Sequence, residues 1–206
     1  MKKRPRRLIA YRSRRTPAQS GLGLESIEAW PAAGGGLLVG VAEAAFAGAA
    51  PLRPAVKTLF IRIDNTNRIT MLLPYVALEE DVRDCIRTLV ATELSVPERW
   101  LEIRDAGHGH AMVDIGRQAE HSLQSCAAVV RTLLISAAAE NWSLSPDLCH
   151  AAQGLVCGLD RTTGYGDVAA DAALGVVPDL VRLRCGRHVF LSPSEPVRSE
   201  SLAVAD

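Results

Sequence analysis

The sequence predicts an α+β domain. Three observations carry that expectation. The patterning switches from period two to period 3.6 at Pro74, a second helical stretch rich in alanine runs over about 119–142, and several short strand-like runs are separated by Gly, Asn and Pro. Of 206 residues, 48% are hydrophobic and only 4% aromatic. The chain is therefore long enough to bury one core, and that core is aliphatic.

The elements follow in order. Residues 57–64 alternate apolar and polar side chains, as a strand does. Asp64-Asn65-Thr66-Asn67 is turn chemistry, and 68–73 is the return strand of a hairpin. From Ala77 to about Ser95 the spacing is helical. Leu78, Val82, Cys85, Ile86, Leu89, Val90 and Leu94 form its apolar stripe, and Glu79, Glu80 and Asp81 form an acidic first turn. Residues 100–105 read as a short strand and 106–117 as irregular. The helix over 119–142 presents Leu123, Cys126, Val130, Leu133, Leu134 and Ala137, and Asn141-Trp142-Ser143 stops it. A small hairpin, 149–152 and 155–159, turns at Gln153-Gly154. Thr163 to Asp167 leads into a short helix through Ala173, and the chain is extended from Pro178.

The expected domain is therefore 56–195, with a polar, disordered tail at 196–206. Its hairpin 57–64/68–73 should begin the sheet. Residues 1–55 look leader-like or disordered. Eight bases and no acid occupy residues 1–15, with a twin-arginine pair at Arg14-Arg15. The Gly-rich apolar run 32–41 follows, then small-x-small sequences at 45–47 and 47–49. Pro17, Glu25 and Glu28 oppose a working leader, so a functional leader, a decayed one and a plain tail all stay open. Export would place the chain in the periplasm, and otherwise it is cytoplasmic. The run 32–41 is too short to span a membrane. Beyond residue 50 there are 15 bases and 20 acids, which argues against a nucleic-acid partner. The five cysteines lack zinc-site spacing, and Cys85 and Cys126 read as buried apolar residues.

The order of pieces resembles the start of the molybdopterin-binding large subunit of the xanthine dehydrogenase/aldehyde oxidase family. It is most similar to isoquinoline 1-oxidoreductase β-subunits and periplasmic aldehyde dehydrogenase large subunits. The carrying residues are Phe60–Asp64, Ile69-Thr70, Pro74, Ala91–Val96, Ala127–Arg131, Leu133–Trp142, Gly154, Tyr165-Gly166-Asp167, Pro178, Phe190-Leu191 and Pro196–Arg198, together with Ala33–Leu38 in the leader.

That resemblance implies an oxidoreductase fold that holds a molybdenum–pterin cofactor. It also implies partners: an iron–sulfur small subunit, or the remainder of a large subunit. The family's catalytic glutamate lies far downstream, so no catalytic residue is expected here. The family's cofactor loop, Pro-x-x-Glu-x-Gly-Gln-Gly, falls on Pro74–Asp81, where Glu79, Glu80 and Asp81 stand in place of Gly, Gln and Gly. The second loop falls on His110–Arg117, and only Arg117 is kept. The resemblance thus implies degenerate cofactor positions at Glu79, Glu80, Asp81 and Arg117, and no cofactor on this chain alone. The expected function is a truncated or degenerate subunit, inactive by itself. The alternatives are a non-catalytic interaction module and one chain of a split enzyme.

Other chemistry is sparse. His108 and His110, with Asp105 and Asp114, are the best metal candidates, but they read more simply as a solvated Gly-rich loop, so no metal is expected. Cys149 and His150 are adjacent, so a strand would point them to opposite faces. No phosphate loop, nucleophile elbow or dinucleotide fingerprint is present.

Overall fold

The computed structural model describes residues 26–42, 59–73, 80–105 and 117–191. It is an α+β domain. Five strands form the main sheet: β1 (Ser26–Pro31), β2 (Leu37–Ala42), β3 (Leu59–Ile63), β4 (Ile69–Leu73) and β5 (Leu101–Asp105), in that spatial order. The first four pair antiparallel, whereas β4 and β5 are parallel, with Leu73 opposite Asp105. A parallel pair needs a crossover. Helix α1 (Glu80–Leu94) supplies it, and α2 (Arg117–Trp142) follows β5.

The sheet therefore does not begin with the 57–73 hairpin. Residues 26–42, read from sequence as leader-like, form two of its five strands. Leu37 and Val39 are fully buried and Ile27 nearly so. A ten-residue apolar run with glycines fits a leader core and a buried strand equally well, since Leu38 and Gly40, which alternate with the core-facing Leu37 and Val39, are non-polar too and leave no alternation to read. The turn explains the glycines. Gly34, Gly35 and Gly36 all hold positive φ, and a Cβ on Gly36 would stand 2.1 Å from the Ile63 carbonyl oxygen. Cleavage at either small-x-small sequence, 45–47 or 47–49, would remove both strands. Residues 1–25 and the 196–206 tail lie outside the described residues.

The apolar positions of the strands, among them Ile27, Leu37, Val39, Ile61, Ile63, Ile69, Met71 and Leu101, share one face and form the core with the helices. In α1, Ile86, Val90 and Leu94 are buried, and Val82 and Leu89 pack against the core half-buried. Leu78 lies outside the described residues. Cys85 is exposed, contrary to expectation, whereas Cys126 is buried as expected. A residue one step before Ile86 is rotated about 100° away from it, and the stripe has no room for both.

Helix α2 runs through the middle. It packs on β2 and β3 on one side and on β9 and the β6–β7 hairpin on the other. That explains its continuous apolar run, Cys126 to Val130, all buried. His121–Trp142 is long and apolar enough to cross a membrane by length and composition, with mean hydropathy 1.4, but 72% of that window is buried inside the domain.

The remaining elements are β6 (Cys149–Ala152), β7 (Leu155–Gly158) and β8 (Arg161–Gly164) in a three-stranded sheet, α3 (Tyr165–Ala172), and the hairpin β9 (Leu180–Arg182) and β10 (His188–Phe190). The third strand, β8, was not evident from sequence, because Arg161-Thr162-Thr163 has no apolar alternation. The Tyr-Gly-Asp sequence now has a structural reason. The Gly166 amide donates to Asn67 Oδ1 (2.6 Å), and a Cβ on Gly166 would lie 2.7 Å from the Asp64 carbonyl oxygen. Asp167 Oδ2 accepts from the Gly164 amide at the helix start. This sequence therefore docks α3 onto the β3–β4 turn.

Candidate functional site

In a mixed α/β arrangement, ligands sit beyond the carboxyl ends of parallel strands, where helix N-termini converge. Here that edge lies beyond Leu73 and Asp105, paired neighbours from which the connections to α1 and α2 depart. The sequence-predicted cofactor positions fall on these same connections. Glu80 and Asp81 open α1, are exposed, and lie in its first turn. Arg117 is the first residue of α2. The topology thus brings the starts of both helices to one edge of the sheet. Glu79, His108, His110 and Asp114 lie outside the described residues. Asp105 is the last residue of β5.

Among the described residues, the start of α1 at this edge is acidic. The free N–H groups of a helix's first turn normally attract a phosphate. In α1 the Val82 amide already donates to Asp81 Oδ1 at 2.9 Å. Glu80 adds a second carboxylate to the same turn, and Asp84 a third one turn further on, its charge taken up by Arg87. A phosphate-bearing pterin would meet carboxylates where it needs donors. On the described residues, the donor set does not fit that group.

A second polar constellation centres on a buried carboxylate. Glu93 is 1% exposed. Its carboxylate accepts from Arg131 Nη1 and from the Arg184 amide, at 3.0 and 3.1 Å to its two oxygens. Arg131 also donates to the Glu93 carbonyl (2.7 Å) and to the Arg182 carbonyl. Glu93 sits in the last turn of α1, where a negative charge is unfavourable, so Arg131 supplies the compensation. Next to it, the Tyr165 hydroxyl donates to the Leu94 carbonyl. Burial pushes the Tyr165 phenol far up, and the nearby Arg184 and Arg131 charges only partly offset this. Glu93 and Arg131 bond to each other and to backbone groups of Arg182 and Arg184, so the pair ties α1, α2 and the C-terminal hairpin together. Sequence reasoning missed it because Glu93 and Arg131 are 38 residues apart.

The other candidates separate. Cys149 is buried and His150 exposed on opposite faces of β6, as alternation requires. Cys185 is exposed in the β9–β10 turn, where hydrogen bonds from Arg187 lower its thiol pKa. Among the described residues no group of three or more His, Cys, Asp or Glu could hold a metal.

No family model matches the chain, and no curated protein does. Among solved structures it is similar to quinoline 2-oxidoreductase from Pseudomonas putida 86, with TM-score 0.45 and 15% identity over 84% of this chain. It is also similar to Cu,Mo-CO dehydrogenase in its carbon monoxide reduced state and to reconstituted CO dehydrogenase from Oligotropha carboxidovorans, each with TM-score 0.43 and 14% identity over 70% of this chain. The chain spans 23% of the first of those proteins and 19% of the other two.

Proposed function

We propose that this chain carries a degenerate molybdopterin-binding domain, which holds no cofactor by itself and serves as a non-catalytic part of a larger oxidoreductase assembly. The family-like order of its motifs supports the first half of this reading. The observation that carries the second is the Asp81 carboxylate seated on the Val82 amide, with Glu80 beside it. These side chains occupy the helix start through which an anionic cofactor would be gripped. The partners that fit are an iron–sulfur subunit or the remaining part of a large subunit.

Titrating the ¹⁵N-labelled chain with inorganic pyrophosphate tests the reading at the residues concerned. The Val82 amide resonance should show no saturable shift in the native chain. In Glu80→Gln/Asp81→Ala the same amide loses its side-chain acceptor and should acquire one. A saturable shift at Val82 in the native chain would overturn the proposal.

A further inference from the structure

The opposite edge of the sheet carries a surface that the cofactor reading does not use. Residues preceding β4 and β5 meet there, at the C-terminal end of α1. A groove of about 790 Å³ runs between the last turn of α1, the segment Val96–Trp100, and the β6–β7 turn, including Thr92, Ser95, Trp100 and Gln153 in its lining. Beyond Trp100 a second hollow of about 320 Å³ is lined by Thr66, Asn67 and Arg68. Trp100 therefore forms the ridge between two concavities, and it is 40% exposed, unusually so for an indole.

This indole is held in place. Gly154, with φ +76°, lies directly beneath it, and a Cβ there would stand 2.3 Å from Trp100 Cζ3. Ser95 and Gln153, which flank the groove, hold φ of 56° and 50°. Left-handed non-glycine residues persist only where surrounding contacts enforce them, and they cluster at binding surfaces. Here the Gly154 amide donates to the Ser95 carbonyl at 3.0 Å, tying the Gln153-Gly154 turn to Ser95.

The charges on this surface are unbalanced. Arg99 is exposed and has no ion-pair or hydrogen-bond partner among the described residues. The Arg184 guanidinium donates to Ser95 Oγ and to the Ala151 carbonyl (2.8 Å), with no carboxylate on it. The groove's own carboxylate, Glu98, accepts from Thr88 Oγ1 at 2.8 Å. Arg68 beyond the ridge is paired with Glu102. Arg99 lines the groove without a carboxylate partner, and Arg184 sits against its wall at Ser95 and Ala151, so two guanidiniums stand against the single groove carboxylate, Glu98. A rigid exposed indole flanked by arginines is the composition of an interface hot spot, and among protein side chains Arg pairs bidentately with carboxylates.

We infer that this groove docks an extended, acidic segment of a partner protein, with an aromatic or proline ring on Trp100 and carboxylates toward Arg99 and Arg184. The inference gives a location to the interaction role proposed above, yet it stands on a different edge of the sheet, so pyrophosphate binding at Val82 would leave it intact.

The test uses the full chain and two fluorescein-labelled peptides, acetyl-Glu-Pro-Glu-Tyr-Glu-Pro-Glu-amide and its counterpart with lysine for every glutamate. Fluorescence anisotropy should show saturable binding of the acidic peptide only. Trp100→Ala should weaken it about tenfold or more, as truncating a hot spot does. Arg99→Glu, checked for native circular dichroism, should reverse the preference toward the lysine peptide, while Arg161→Glu on distant β8 should change nothing. Three outcomes would overturn the inference: no saturable binding of the acidic peptide, equal binding of both, or an Arg99→Glu effect no larger than that of Arg161→Glu. Self-association of the native chain that Arg99→Glu abolishes would instead assign the groove to a second copy, and would also overturn it.

Discussion

Replacing Arg131 by methionine should destabilise the domain by about 3–5 kcal/mol, the cost of leaving a buried charge without its partner. Glu93 is 1% exposed and would keep only the Arg184 amide and a long contact from Gln124. The substitution also removes donors from the Glu93 and Arg182 carbonyls, so the C-terminal hairpin loosens along with α1. Urea unfolding followed by far-ultraviolet circular dichroism measures the loss. The double variant Glu93→Leu/Arg131→Met should regain much of it, because two apolar side chains of similar size leave no charge unpaired. A single-variant loss under about 1 kcal/mol would mean that the pair is hydrated and not part of the core.

Leu37→Ala should cost about 2–5 kcal/mol, as for any fully buried leucine whose cavity cannot collapse. Leu37 is 0% exposed and pairs with Ile63 across β2 and β3. A leader segment or disordered tail would tolerate the change with no measurable effect. The same urea titration therefore separates a chain whose fold includes residues 26–42 from one whose fold begins near residue 56. An unchanged midpoint would contradict the five-stranded sheet.

Much of the domain's middle was legible because its signals are local. The alternation in 59–63, the 3.6-residue stripe of α1 and the Gln153-Gly154 turn each depend on residues close in sequence, and each sits where the patterning placed it. The strands β1 and β2 were not legible. A glycine-rich apolar run downstream of a basic start matches a leader as well as an interior strand, and only pairing with β3 decides between them. Cys85 was misplaced because a stripe drawn on periodicity alone does not show where its edge meets solvent. The buried Glu93–Arg131 pair and the pinned Trp100 were invisible for a further reason: each needs segments brought together from distant parts of the chain. At the cofactor edge, the identity of Glu80 and Asp81 was plain from sequence, whereas the seating of Asp81 on the Val82 amide is a property of the folded helix start.

A degenerate site at this edge would hold no molybdenum–pterin cofactor. The direct measurement is metal and pterin content of the full chain, purified from a host that makes the cofactor. Molybdenum is quantified by mass spectrometry, and oxidised pterin by its fluorescence after acid release. The account predicts molybdenum and pterin far below one per chain, together with no aldehyde- or N-heterocycle-dependent dye reduction above a heat-killed control. Stoichiometric molybdenum and pterin on the native chain, with turnover, would contradict it.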